Sequence, residues 1–189
     1  AQKGIARGIF SNEAGIGSAP IAAAAAQIES PAQQGLISML GTVIDTLIIC
    51  TMTGLTIVIT GTWNIGLDGV DVTTKAFQEG LPFSPSVASF ILMICLVFFA
   101  FTTILGWDYY SERCLEYLVG QRPKVLKAYR WLYIFCVFIG PYMTVKAVWT
   151  IADIFNGLMA IPNLIALLTL NGVVVAETKK YLDARTKKF

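Results

Sequence analysis

Residues 4–20 read GIARGIFSNEAGIGSAP and place four glycines and a proline directly before an alanine-rich run. Glycine interrupts helices because it adopts backbone conformations that other residues avoid, whereas Ser18 and Pro20 favour the start of a new helix. At membrane depth, interrupted backbone is tolerated only where it is buried in protein or lines a cavity. The stretch therefore predicts a broken membrane helix over residues 4–27, with a site at the break.

The composition places the whole chain in a membrane. Of its 189 residues, 56% are hydrophobic and 14% charged, and the mean hydropathy is +0.67, which is too apolar for an ordinary soluble domain. The net charge of +2 comes from scattered basic residues, so the expected partner is the lipid bilayer and not nucleic acid. The chain begins without Met or a signal pattern, and we therefore expect a piece of a longer protein.

The residue inventory argues against an enzyme. The chain has no histidine, which excludes histidine-assisted nucleophiles and histidine-ligated metals within it. Its four cysteines are widely separated and lack metal-ligand spacing, so we interpret them as small apolar residues in helices. No catalytic residues, enzyme cofactor or transition-metal site are predicted.

Several further segments are apolar enough to cross a bilayer, which takes about 20 residues. We predict spans at residues 36–60, 87–118, 125–143 and 158–177. Between the last two, residues 144–156 carry apolar side chains at helical spacing, which predicts an interfacial helix, with a short embedded segment as the alternative. The run from Asp153 to Gly157 is interpreted as a capped helix end.

Basic residues predict the orientation of the chain. The loop with Arg122, Lys124, Lys127 and Arg130 should be cytosolic, because short cytosolic loops are rich in Lys and Arg. The C-terminal tail is basic as well, at Lys179, Lys180, Arg185, Lys187 and Lys188, so the C-terminus is also predicted to be cytosolic. This arrangement leaves Lys3 and Arg7 on the non-cytosolic half, against the same rule.

Two carboxylates lie where charge is costly. Asp45 lies near the middle of the 36–60 span, and such a residue usually faces the bundle interior with a partner. It could contact an ion or form a structural pair with Arg7. Glu13 lies within the break, and for it the preferred interpretation is a structural pair with Arg7.

The run from Arg7 to Pro20, RGIFSNEAGIGSAP, resembles the signature of the alanine or glycine:cation symporters, also called sodium:alanine symporters. The likeness continues through Asp45-Thr46, residues 102–107 (TTILGW) and residues 152–163 (ADIFNGLMAIPN), and it covers most of the chain. Ala23 departs from the pattern, since many relatives have His there. The resemblance implies sodium-coupled symport of a small neutral amino acid, alanine or glycine, by alternating access across the cytoplasmic membrane.

The same resemblance implies a LeuT-like fold, built from two inverted five-helix repeats whose first helices are broken. This chain resembles the second repeat, with residues 1–29 as its broken helix. The N-terminal repeat is then a missing partner that completes the midplane site.

The resemblance also implies that Phe10, Thr103 and Trp107 line the amino-acid pocket, and the interrupted backbone at Ser11 and Asn12 is expected to hold polar groups of the substrate. Sodium prefers oxygen ligands, so the candidate ion contacts are one of the two threonines, Thr102 or Thr103, and Asp45. From the residues alone, Trp107 could instead belong to an interfacial aromatic belt, and both threonines could simply hydrogen-bond their own helix.

The sequence is compatible with other transport functions. The same fold could couple transport to protons or move another small amino acid. A channel subunit is disfavoured because no filter motif or charged ring lies in a span, and a membrane enzyme because no nucleophile with a base or metal cluster is present.

Overall fold

A computed structural model of the protein describes residues 2–13 and 15–186, and every regular element in those ranges is helical. The all-α class predicted from the sequence is confirmed. Ala14 in the predicted break, Lys187 and Lys188 in the tail, and the side chain of Lys3 lie outside the described part. The helices are α1 (Gln2–Asn12), α2 (Ala19–Ala23), α3 (Pro31–Val43), α4 (Thr51–Ile59), α5 (Val70–Gly80), α6 (Pro85–Val119), α7 (Pro123–Ile139) and α8 (Val145–Thr186).

Short irregular helices join these elements. A π-helical segment, Ile44–Cys50, makes α3 and α4 one continuous helix, and 3₁₀ turns follow α4 at Thr62–Asn64 and α7 at Gly140–Tyr142. Prolines are the first residues of α3, α6 and α7, where a missing N–H costs no helical hydrogen bond. Gly120 has a φ of 72° and donates its N–H to the Glu116 carbonyl at 2.9 Å, which closes α6.

Three stretches of the described residues are long and apolar enough to cross a membrane, namely Pro31–Ile59, Pro85–Val119 and Val145–Thr186. At 1.5 Å per residue, α6 and α8 are ~52 Å and ~63 Å long, well beyond the ~30 Å of hydrocarbon in a bilayer. The 17 residues of α7 are at the short end of the range for a membrane span, and the helix ends at Ile139, directly before Gly140-Pro141.

Residues 144–177 fold differently from the prediction. The sequence predicts an interfacial helix over 144–156 and a new span from 158, whereas α8 is one helix of 42 residues that includes Pro162. Gly157 does not end a helix, because its backbone stays helical instead of turning left-handed. Membrane helices tolerate glycine and proline, since neighbouring groups satisfy the freed backbone. The separate interfacial helix and the capped end at Asp153 to Gly157 are therefore wrong.

The chain divides into two compact units. The first contains residues up to Val43 and from Tyr110 onward. Within it, α3 packs along α8, and Arg130 forms a two-pronged ion pair with Glu112, with N–O distances of 2.6 and 3.0 Å. Glu112 is only 7% exposed, so this pair fastens α7 to the end of α6.

The second unit runs from Ile44 to Tyr109. It contains α5, a helix between the predicted spans at residues 36–60 and 87–118, where no helix is predicted from the sequence. The end of α5 packs closely on α4, since a Cβ on Gly80 would lie 3.3 Å from Thr56 Cγ2. Gln78 Nε2 donates to Ser89 Oγ at 2.7 Å and so connects α5 to α6.

Candidate functional site

The first segment is interrupted between Asn12 and Ala19, within the stretch where the sequence predicts a break. Among the residues that the structure describes there, Glu13, Gly15 and Gly17 have left-handed backbone, with φ of 53°, 80° and 85°. Glycine adopts this conformation at little cost, whereas a glutamate does so only when its surroundings hold it. The break is therefore a defined turn with its own contacts.

Glu13 is held by two hydroxyl groups. Ser18 Oγ donates to Glu13 Oε2 at 2.8 Å, and the Tyr110 hydroxyl of α6 hydrogen-bonds the same carboxylate. Ser18 is 1% exposed and Glu13 is half-buried, so their hydrogen bond is partly shielded from solvent. The predicted pairing of Glu13 with Arg7 is wrong, because Glu13 instead closes the break onto Ser18 and Tyr110.

The second half-helix is shorter than predicted. Helix α2 ends at Ala23, although the sequence predicts helix to residue 27. The Ala24 N–H still bonds four residues back, but the N–H groups of Ala25 and Ala26 bond three residues back, to Ala22 and Ala23. This tightening is typical of a helix end. Ser18 occupies the N-cap position but forms no capping bond, consistent with its hydrogen bond to Glu13.

Gly17 approaches α8 more closely than any other residue type would permit. A Cβ built on Gly17 would lie 2.9 Å from Asn163 Oδ1 and 3.1 Å from its Cγ. The half-buried Asn163 follows Pro162, inside α8. The break thus contacts α8 at a position where the left-handed backbone favours glycine and where a Cβ would force the Asn163 side chain to shift.

A cluster of four side chains connects α1 to the first turns of α8. Arg7 donates from both terminal nitrogens to Asp153, at 2.8 and 3.3 Å, and its Cζ lies 3.6 Å from the centre of the Trp149 ring. The Phe10 ring meets Trp149 in a T-shaped arrangement, with centroids 5.4 Å apart and planes at 71°. The partner of Arg7 is therefore Asp153, a residue that the sequence analysis assigned to a helix cap.

The remaining predicted pocket residues of α1 flank this cluster. Ser11 is exposed and Asn12 is half-buried, and both lie in the last turn before the break. Phe10, Ser11 and Asn12 are thus brought together at the end of α1, in the first unit.

The predicted threonines lie on α6, in the second unit. Thr102 Oγ1 shares its hydrogen between the carbonyls of Phe98 and Phe99, each at 3.0 Å, and Thr103 Oγ1 donates to Phe99 at 2.8 Å. A hydroxyl that donates its hydrogen keeps oxygen lone pairs that can bind a cation. Both threonines therefore hydrogen-bond their own helix, as the alternative interpretation predicts. These bonds do not exclude a role of the same oxygens in ion binding.

Trp107 and Asp45 complete the predicted set, also in the second unit. Trp107 is half-buried and lies four residues after Thr103, so the two share a face of α6. Asp45 is half-buried within the π-helical segment. Such segments are rare and often occur at functional sites, because they redirect backbone carbonyls. The joint pocket of α1 and α6 residues stays a prediction.

Curated relatives of the chain are transporters. It is 58% identical to an uncharacterized transporter of Haemophilus influenzae over 96% of this chain and 39% of that protein. It is 48% identical to the sodium/alanine symporter AgcS of Methanococcus maripaludis, over 96% of this chain and 40% of the relative. It is 40% identical to the probable sodium/glutamine symporter GlnT of Bacillus subtilis, over 98% and 38%.

The chain thus spans about 40% of the length of the relatives it matches. A search of solved structures gave no significant match. The transporter names agree with the prediction that the chain is not an enzyme, and with the three apolar helices they indicate a multi-pass membrane protein. Residues 1–188 match the family model described as the sodium:alanine symporter family, and the chain therefore belongs to that family.

Proposed function

We propose that this chain is part of a secondary active transporter that couples sodium entry to uptake of a small neutral amino acid, alanine or glycine. The observation that carries the proposal is the turn at residues 13–18, which interrupts the first segment and leaves Phe10, Ser11 and Asn12 beside it. Interrupted helices free polar backbone groups that can bind a substrate and its coupling ion. The name of the 48% identical relative supports sodium and alanine.

The LeuT-like fold is part of the same proposal. The chain would be the second inverted repeat, and the rest of the transporter would supply the first. Most apolar side chains of the described residues are exposed, such as Leu168 at 79% and Phe98 at 66%. Such surface suits both lipid and a neighbouring repeat. Residues 1–189 alone, reconstituted in proteoliposomes, should therefore show no sodium-dependent alanine uptake.

In the proposed site, Phe10 and Trp107 limit the size of the substrate side chain, while Ser11, Asn12 and Thr103 contact its polar groups. Sodium would be bound by oxygens of Thr102, Thr103 or Asp45, since hard cations favour oxygen ligands. The threonine hydroxyls already donate to helix carbonyls, so their lone pairs are oriented by the helix before an ion arrives.

The proposed topology has a cytosolic C-terminus in the cytoplasmic membrane, with α1 in the outer half. Arg7, which is paired with Asp153 at 2.8 Å, counts against this orientation, because the rule counts Lys and Arg and not the net charge. It is a single residue, whereas residues 122–130, at the α6–α7 loop, carry four basic residues. The basic α6–α7 loop then determines the orientation.

The decisive experiment measures uptake of labelled alanine by the full-length transporter in proteoliposomes with an inward sodium gradient. Uptake that is lost when potassium replaces sodium, and that glycine competes, is the expected result. Competition by glutamine instead would favour the specificity named for the 40% identical relative. Uptake driven by a pH gradient would show that protons, and not sodium, are the coupling ion. No uptake of any small amino acid would refute the proposal.

A matched pair of variants separates ion binding from helix stability. Thr103 and Thr150 each donate to a carbonyl four residues back, at 2.8 and 2.9 Å. Thr103→Val and Thr150→Val therefore remove the same type of backbone bond. Only Thr103→Val should raise the sodium concentration that half-saturates uptake. Equal sodium dependence in the two variants would remove Thr103 from the ion site.

A further inference from the structure

We propose that Trp149 is a positioning residue that sets the size selectivity of the transporter by orienting the Phe10 ring, and that Arg7 and Asp153 fix Trp149 in turn. The inference rests on the proposed function, because it assumes that Phe10 limits the substrate pocket. None of the predicted site residues lies on α8, so the inference adds a helix to the parts of the protein that determine specificity.

The positions in sequence explain why four side chains can interlock. Arg7 and Phe10 are three residues apart on α1 and therefore lie on one face of that helix. Trp149 and Asp153 are four residues apart on α8 and likewise share a face. Each helix thus presents one ionic and one aromatic side chain to the other, and Trp149 contacts both residues of α1.

The geometry transmits a constraint from Asp153 to Phe10. The carboxylate accepts from both terminal nitrogens of Arg7, which fixes the plane of the guanidinium. That group lies 3.6 Å from the centre of the Trp149 ring, as in stacked cation–π pairs, and so restricts rotation of the indole. The T-shaped contact at 5.4 Å then leaves the half-buried Phe10 ring one favoured orientation.

Loss of the Trp149 ring should therefore free Phe10 to swing away from the substrate. A pocket wall that can move admits longer side chains, whereas a fixed wall rejects them. A purely structural role for Trp149 predicts a different result, namely fewer active transporters with unchanged preference among substrates. Selectivity, measured as a ratio, distinguishes the two roles.

The test measures inhibition of labelled alanine uptake in proteoliposomes that contain the full-length transporter. The readout is the concentration of leucine that halves uptake, divided by the corresponding concentration of unlabelled alanine. Trp149→Leu should lower this ratio about tenfold, the scale on which pockets discriminate a methylene group. Trp149→Phe, which keeps an aromatic ring, should retain most of the ratio. Phe155→Leu is the matched control, because Phe155 is an aromatic residue of α8 that is 60% exposed.

Arg7→Lys provides a second route that leaves every aromatic ring in place. Lysine keeps the charge but lacks the planar fork that pairs with Asp153 and stacks on Trp149. The ratio should fall in the same direction as in Trp149→Leu, by a smaller factor. If Trp149→Leu gives no active transporter, this variant decides: a lowered ratio supports the proposal, and a parental ratio overturns it.

Phe10→Ala separates failure of this inference from failure of the proposed site. A lowered ratio in Phe10→Ala with a parental ratio in an active Trp149→Leu transporter would overturn the role of Trp149 alone. A parental ratio in Phe10→Ala would remove Phe10 from the pocket and overturn both. Absence of sodium-dependent alanine uptake by the parent would do the same.

Discussion

Gly17 is the position in the break where one added methyl group has most to displace. Its φ of 85° is left-handed, and a Cβ there would lie 2.9 Å from Asn163 Oδ1 and 3.1 Å from its Cγ. Gly17→Ala therefore has a cost of about 1–2 kcal/mol for the backbone and about 1–3 kcal/mol for overpacking. We expect the free energy of unfolding to fall by about 2–5 kcal/mol in total.

Gly15→Ala is the matched control for the backbone cost. Gly15 has a similar φ of 80°, but a Cβ there would meet no atom within 4 Å. Its expected loss is therefore about 1–2 kcal/mol, the left-handed backbone cost alone. The entropy change of the unfolded chain on replacing glycine by alanine is common to both variants and cancels in the comparison. The measurement is thermal unfolding of the purified full-length transporter, with Gly17→Ala expected to unfold at the lower temperature.

Asn163→Ala supplies the second half of the test. It removes the two nearest atoms that the new methyl group would meet and leaves only the Cβ of residue 163, 3.3 Å away, so Gly17→Ala should cost less in the Asn163→Ala background than in the parent. The cost that remains should approach that of Gly15→Ala and stay slightly above it. Equal unfolding temperatures for the two glycine variants, or no recovery in the double variant, would refute the close contact between the break and α8.

Three further substitutions, one of them with a matched control, test other parts of the protein. Trp107→Ala should relax the size limit, so that larger amino acids compete about tenfold better with alanine; unchanged selectivity in uptake competition would favour a belt role for Trp107. Asp45→Asn should abolish uptake if Asp45 binds the ion or a structural partner, and recovery at high sodium distinguishes the ion site from structure. Glu112→Gln should destabilise the transporter by about 1–1.5 kcal/mol, because it removes the negative charge from two part-buried hydrogen bonds to Arg130, whereas Lys75→Gln, in an exposed ion pair, should cost under about 0.5 kcal/mol in thermal unfolding.

The break itself could be predicted because its signal is local. Glycines at 15 and 17 permit left-handed backbone, and Ser18-Ala19-Pro20 favours a helix start. The local order of residues therefore locates the interruption. The left-handed Glu13 could not be predicted in this way, since glutamate disfavours that conformation. It depends on Ser18 and on Tyr110, a residue 97 positions away whose proximity only the tertiary structure establishes.

Partner assignment failed for a related reason. The sequence pairs Arg7 with Glu13 or Asp45 because these carboxylates lie where charge is costly in a membrane. Its partner is Asp153, which a local helix-cap interpretation had explained already. Charge complementarity identifies the kind of partner, whereas the choice among several carboxylates depends on which helices pack together.

Two further features, the π-helical segment and helix α5, are not predicted from the sequence. The seven-residue π-helical segment around Asp45 has no established sequence signal here, and its backbone hydrogen bonds are recognised only from coordinates. Helix α5 did have a signal, the pair of Lys75 and Glu79 at i and i+4, which the structure joins at 3.2 Å. Polar and apolar residues are mixed along α5, so a search for apolar spans by hydropathy does not detect it.

The stripe on residues 144–156 shows what apolar periodicity can and cannot establish. Val145, Val148, Trp149, Ala152 and Phe155 form a helical stripe, which the sequence analysis interpreted as a face for the membrane interface. In the structure, Trp149 from this stripe contacts Phe10 and Arg7 of α1, whereas Val145 and Phe155 remain 65% and 60% exposed. Lipid and a packed helix both accept apolar side chains, so periodicity predicts the face but not its neighbour. A charged residue on the same helix face resolves the ambiguity. Asp153 lies four residues after Trp149 and requires a cationic partner, which it finds in Arg7 and which lipid tails cannot provide. The presence of this carboxylate therefore indicates that the face packs against protein.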